Sequence, residues 1–389
     1  MADEKRAARL LGLDALRFVA AAGVLLYHYT ARWSQVWGEP PEDVFPLFGQ
    51  VISYAALGPE QFFVISGFVI LMTAWGRDVP HVVASRLARL YPAYWAAVLL
   101  TSFLLLVLWQ DGKQITPTEA AVNLTMLQSL VDVRHVDGVY WTLWTELRFY
   151  VLIIALVAIG LTRRRILLVC AIWPPLAWLA LATGIEPFET LLVGAYAPFF
   201  AGGMLLYLMY RDGQARLPWI LLLGNVVFAV YQIVPRQFDT LSRNTGFVPS
   251  KPLIGVVVVL CFVTVALLAL TRLRSKGGAW MVTVGALTYP LYLIHEFWGW
   301  WIISLAHPEL NRWASVAVAS VFAIGLATLI HYTVERPFGP RFRAWLLRLM
   351  ERTSRPRPAP APVEGPPGRG AEARAALEGS IDPPASGAR

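Results

Sequence analysis

The stretch LGLDALRFVAAAGVLLYHYT carries three ionisable side chains, Asp14, Arg17 and His28, inside an apolar run. A charge held at membrane depth is costly, so its default reading is functional. Asp14 and Arg17 stand at i, i+3, which fits a structural ion pair near one interface as well as a chemical role. Arg17 and His28 are eleven positions apart. That is close to three helical turns, so they share a face about 16 Å apart along the axis. A guanidinium can grip an anionic group, and a neutral imidazole can take a proton from a hydroxyl.

Further chemistry-bearing residues sit in later runs. ASRLARLYPAYW sets Arg86 and Arg89 one turn apart, with Pro92 expected to open a helix. Two arginines on one helical face form a phosphate clamp, although cytoplasmic anchoring alone also calls for arginine there. YWTLWTELRFYV brings Glu146 and Arg148 into the membrane among Trp141, Trp144, Phe149 and Tyr150. Glu146 can orient a histidine or pair with an arginine of another helix. YPLYLIHEFW takes His295 and Glu296 towards mid-membrane, as candidates for a shared polar cavity. Glu335 and Arg336 read as a helix-end ion pair. Ser66 lacks the G-x-S-x-G surroundings of a nucleophile and is assigned to packing. A ligand with phosphates at one end and a thin arm ending in a thioester would touch both Arg17 and His28; coenzyme A has that form.

These residues must be positioned by membrane helices. The chain has 389 residues, 57% hydrophobic and only 15% charged, too apolar for a soluble protein of this length. Apolar runs of spanning length are predicted at about 11–30, 49–75, 92–109, 144–161, 165–183, 189–210, 217–235, 252–271, 280–302 and 313–333. The fold class is therefore an all-α integral membrane protein with about ten transmembrane helices. Arginines gather in alternate gaps (Arg77, Arg86, Arg89; Arg163 to Arg165; Arg211, Arg216; Arg272, Arg274). The positive-inside rule makes that side cytoplasmic and leaves both termini inside. The net charge of +8 is thus a topology signal, not a nucleic-acid one. Segment 119–131 is too short to span and reads as an interfacial or re-entrant helix on the outer side. Three parts are expected: a cytoplasmic N-terminus (1–10), a transmembrane domain (11–340) and a cytoplasmic tail (341–389), disordered from about 353 by composition. The two cysteines lie in separate apolar runs, and no metal-ligand spacing exists.

In order along the chain, LDALRFVAAAGVLLYHY, FFVISGFVI, RLARLYPAYW, WTLWTELRFY, LTYPLYLIHEF and VERPF together resemble the acyltransferase 3 family of bacterial multi-pass membrane O-acyltransferases. The resemblance runs from about residue 11 to 340. It implies transfer of an acyl group, acetyl or another short one, from cytoplasmic acyl-CoA to a hydroxyl of a sugar, glycolipid, surface polysaccharide or secondary metabolite such as a macrolide. It also implies a bacterial inner-membrane location and no permanently bound cofactor. By the same resemblance His28 is the essential histidine, Arg17, Arg86 and Arg89 bind coenzyme A, and Glu146 is the acidic position of its block. Asp14 joins Glu146 as a candidate to fix the imidazole, although about 21 Å separates it from His28 in an unbroken helix. Trp141, Tyr150 and His295 are expected at the substrate. Gly58-Pro59-Glu60 departs from the family's Gly-Val-Asp-like entry to the second span.

The rival class is a secondary transporter with a polar substrate path, but no internal repeat of the kind such proteins carry is evident. The topology is testable directly. Reporter fusions after Arg77 and Arg165 should read cytoplasm, and those after Asp43 and Asp111 the outside. Reversal of one adjacent pair breaks the ten-span alternation.

Overall fold

The computed structural model describes residues 10–354; the expectations for residues 1–9 and for the disordered tail lie outside them. The described residues are helical throughout, with no strand. The spanning helices are α1 (Leu11–Thr30), α2 (Gly58–Ala74), α3 (Val79–Phe103), α4 (Trp141–Ala158), α5 (Arg163–Thr183), α6 (Ala197–Asp212), α7 (Arg216–Asn244), α8 (Lys251–Leu270), α9 (Ala279–Ala306) and α10 (Arg312–Ile330). A last helix, α11 (Arg336–Ser354), follows a π-helical turn at His331–Glu335.

Nine of the described segments are long and apolar enough to cross a membrane. The tenth predicted span, α9, is 28 residues of helix and amply long, but His295, Glu296 and its tyrosines and tryptophans lower its hydropathy. The composition of the site is thus visible as a defect in the span that carries it.

Local signals set several boundaries. The Asp78 side chain accepts from the His81 N–H at 3.2 Å and caps α3, so that helix begins well before its predicted start. Pro92 consequently lies inside α3 rather than opening it. Thr162 caps α5, which ends at Gly184 with φ +66°. Residues 119–131 do not form one helix. They belong to a short helix, Pro117–Asn123, with a Thr116/Glu119 capping box, and a separate 3₁₀ turn, Gln128–Val131.

The centre of the bundle is α6. Every residue from Ala197 to Met209 is buried, as expected of a helix apolar on all sides. Its most extensive partner is α2. Gly67 and Gly203 let the two backbones touch: a side chain at 67 would fall on the Phe200 carbonyl, and one at 203 on the Val64 carbonyl. On the periphery, α8 exposes Val256, Val259, Leu260, Val263 and Leu267, a face suited only to lipid. The first and ninth spans pack together and run parallel: Asp14 lies against Gly285, and Tyr29 against Gly299. Two odd-numbered spans of an alternating bundle must share a direction.

Because a backbone carbonyl cannot swing away as a side chain can, Gly203→Leu should cost at least the roughly 1–3 kcal/mol typical of overpacking. Its melting temperature in detergent should drop clearly. Gly224→Leu, which faces open space on α7, should melt like the parent. Equal melting of all three would mean that the α2–α6 crossing is not tight.

Candidate active site

A cavity of about 710 Å³ opens among α1, α2, α3, α4, α9 and α11. Of the residues singled out from sequence, Asp14, Arg17, Arg86, Arg89, Glu146 and Tyr150 all line it. The three arginines therefore converge, although they come from two different helices. They are not equivalent. Arg17 lies 3.7 Å from Asp14. Arg89 bonds to Glu335, which also accepts from His331 at 2.9 Å. The π-helical turn delivers that carboxylate, so Glu335 pairs with α3 rather than with Arg336 as expected. Arg86 donates to Ser85 at 3.1 Å and makes no ion pair among the described residues. Arg343 of α11 also lines the cavity without one. Two arginines are thus left to receive an anion.

Glu146 accepts a hydrogen bond of 2.7 Å from Ser66. Ser66 is therefore a polar partner of the site and not the packing residue that its surroundings suggested. The carboxylate sits in the cavity wall on α4, and neither it nor Asp14 reaches His28. Trp141 also lies off the cavity, packed against Tyr196 and Phe63 with ring centroids 5.2 and 6.1 Å away.

His28 and His295 form a second cluster. Their rings are 4.9 Å apart, and His28 Nδ1 lies 3.1 Å from His295 Nε2. Backbone carbonyls only accept, and they assign the protons. His28 Nδ1 faces the Val24 carbonyl at 2.8 Å, and His295 Nδ1 faces the Tyr292 carbonyl at 2.9 Å. Each Nδ1 therefore carries its hydrogen, and His28 Nε2 keeps a lone pair. Arg32 Nη1 donates to that nitrogen at 3.2 Å and to Glu296 Oε1 at 2.9 Å. Glu296 Oε2 lies 3.8 Å from His28 Nε2. The carboxylate beside the imidazole is thus Glu296, on the same helix as His295.

Helix geometry explains the grouping. Val24, His28 and Arg32 recur every fourth residue, so the stripe of α1 continues past its end. Tyr292, His295, Glu296 and Trp300 form one face of α9. The cluster is fixed at its backbone as well. Trp300 donates to the His28 carbonyl at 2.9 Å, an acceptor left free near the end of α1. Tyr29 donates to the His295 carbonyl at 2.8 Å. His28, His295 and Glu296 are all buried.

Tyr292 and Thr142 stand between the two regions. Both line the cavity, their hydroxyls are 3.2 Å apart, and the Tyr292 ring lies 5.8 Å from that of His295. The bundle thus holds an arginine-lined chamber and a histidine–carboxylate cluster, with one tyrosine ring between them.

Sequence reading missed the placement of Arg32, Ser66, Arg343 and Asp137, the last a buried residue just ahead of α4. Arg32 was detectable as the next step of the His28 stripe. Nothing local marks the other three.

The family model for the acyltransferase 3 domain, described as an acyltransferase domain, matches residues 10–332. No curated protein and no solved structure matches the chain. Since the family match runs from the start of α1 to the end of α10 and takes in both histidines, the chain belongs to the acyltransferase 3 family and is a multi-pass membrane acyltransferase acting on hydroxyls.

Proposed function

We propose that the donor is acyl-CoA held in the arginine-lined chamber from the cytoplasmic side, and that His28 is the general base that activates the acceptor hydroxyl. The observation that carries this reading is the arrangement of the two regions. Arg86 and Arg343, which have no ion pair among the described residues, line a chamber whose wall includes Tyr292, next to the histidine cluster. Their guanidinium forks match phosphate oxygens, and binding energy gained there holds the thioester at the reacting centre.

The reaction balances without an added reagent. The acceptor O–H takes the place of the Arg32 N–H at His28 Nε2 and passes its proton there, and its oxygen forms the new bond to the thioester carbonyl carbon. The C–S bond breaks, and the departing thiolate takes the proton from His28. Glu296 Oε2, 3.8 Å from that same nitrogen, stabilises the imidazolium between these steps through its negative charge. His295 holds the ring by accepting from Nδ1. Acceptors in this reading are sugars, glycolipids, surface polysaccharides or secondary metabolites, and acetyl or another short acyl group is transferred. The cell membrane of a bacterium, with both termini in the cytoplasm, is the setting that the arginine distribution supports.

Two sets of variants test it. Arg86→Ala and Arg343→Ala should each raise the KM for acyl-CoA by about 10- to 150-fold, the equivalent of losing a charge-assisted contact of about 1.5–3 kcal/mol. Arg89→Ala is a poorer probe, because it also strips buried Glu335 of its cation. Unchanged acyl-CoA use in the Arg86/Arg343 double variant would return these side chains to plain topology signals.

For the base, His28→Ala should lower kcat by about 10²- to 10⁴-fold. His295→Ala should cost less, because the Val24 carbonyl still holds the His28 Nδ1–H. If folded His28→Ala protein keeps most of its transfer while His295→Ala loses it, the base lies on α9 instead.

A further inference from the structure

Behind Glu296 lies a second buried carboxyl group that the reaction above leaves unused. Asp137 sits in the loop just ahead of α4 and is fully buried, with Glu296 1% exposed. Its Oδ1 accepts from the Val139 N–H at 3.1 Å and shapes the turn into α4. Its Oδ2 has no hydrogen-bond donor, and neither does Glu296 Oε2. Gly138, next to Asp137, has no side chain to hold the two groups apart: a methyl there would meet the Glu296 carboxylate.

Two carboxylates placed together and buried cannot both stay ionised. Their surroundings decide which one gives way. Glu296 has Arg32 at 2.9 Å. Asp137 has no ion pair among the described residues. The nearest ammonium, Lys113, donates instead to the carbonyls of His135 and Val136, at 2.6 and 3.4 Å. Among the described residues the other titratable groups facing the pair are Tyr27, Tyr29, Tyr140, Tyr292 and the two histidines.

We propose that Asp137 is a positioning residue that holds one proton on Oδ2 and donates it to Glu296 Oε2, so that the two carboxyl groups carry a single negative charge. That one proton gives both orphaned oxygens a partner. It fixes the Glu296 carboxylate from behind, while Arg32 fixes it from the side. It also leaves the pair with one charge for the imidazolium rather than two to desolvate. The effect on catalysis rests on the reading of His28 as the base; the shared proton does not.

Burial, then the Glu296 carboxylate, push the Asp137 carboxyl well above the usual carboxylate range. For a group raised in the folded state, the stabilisation is complete at low pH and is lost as pH rises through the folded value. Wild-type protein should therefore lose melting temperature and activity on the alkaline side.

The test uses the purified full-length protein in detergent. Infrared spectra should show the carbonyl stretch of a protonated carboxyl group that disappears in Asp137→Asn. Asp137→Leu leaves the Glu296 oxygen unpartnered and should lower transfer about tenfold or more. Asp137→Asn supplies an N–H in place of the O–H, so it should restore transfer and shift the alkaline fall in activity to higher pH. Infrared spectra identical in wild type and Asp137→Asn would overturn the proposal. So would an Asn variant that misfolds, is as poor as Leu, or keeps the wild-type alkaline limb. His28→Ala keeps the two readings apart: full activity in that variant, with the infrared band intact, would remove the base assignment and leave the shared proton standing.

Discussion

A charge buried where water cannot follow must meet its counter-charge on whichever element passes closest, and the α1–α9 contact does this for Glu296. The carboxylate is buried in the bundle, and its cation, Arg32, is 264 residues away along the chain. Desolvation makes the unpaired state of either group expensive, so the two helices cannot separate cheaply. The histidine pair, the Trp300 bond to the His28 carbonyl and the Tyr29 bond to the His295 carbonyl all lie on that same contact. Loosening α1 from α9 would disperse every group that surrounds the imidazole.

The same pairing logic distinguishes the arginines of the chamber. Of those matched to carboxylates, Arg17 pairs with Asp14 inside α1, while Arg89 pairs with Glu335 and ties α3 to the π-helical turn. Among the described residues Arg86 and Arg343 have no such match. The π-helical turn at the end of α10 serves this division. It shifts the backbone register at His331–Glu335 and places Glu335 on α3. One long helix of ordinary pitch would carry that carboxylate elsewhere.

Tyr292 links the two regions physically. Its ring lies near His295, its hydroxyl meets Thr142 of α4, and its face lines the chamber. The packing that supports it is rigid at its core, because α2 and α6 cross backbone to backbone through Gly67 and Gly203.

Sequence by itself determined the spanning helices and the face of α1 on which Arg17 and His28 sit, because hydropathy and the 3.6-residue period are local properties. It also marked α9, where polar and aromatic residues interrupt an otherwise spanning run, and it collected Arg17, Arg86 and Arg89 as one set. It did not identify the partner of His28. Glu146, Asp14 and Glu296 are all carboxylates in or beside membrane spans, and no local rule ranks them. Nor did it show that Ser66 answers Glu146, that Pro92 lies within α3, that Arg343 returns to the chamber, or that Asp137 stands behind Glu296. The Pro92 position turns on the Asp78 cap; the others depend on which helices touch, and pairing between segments far apart in the chain leaves no trace in local periodicity. The tertiary structure alone placed α9 against α1, and the choice among carboxylates followed from that contact, since a buried imidazole can use only the acid that packing brings within reach.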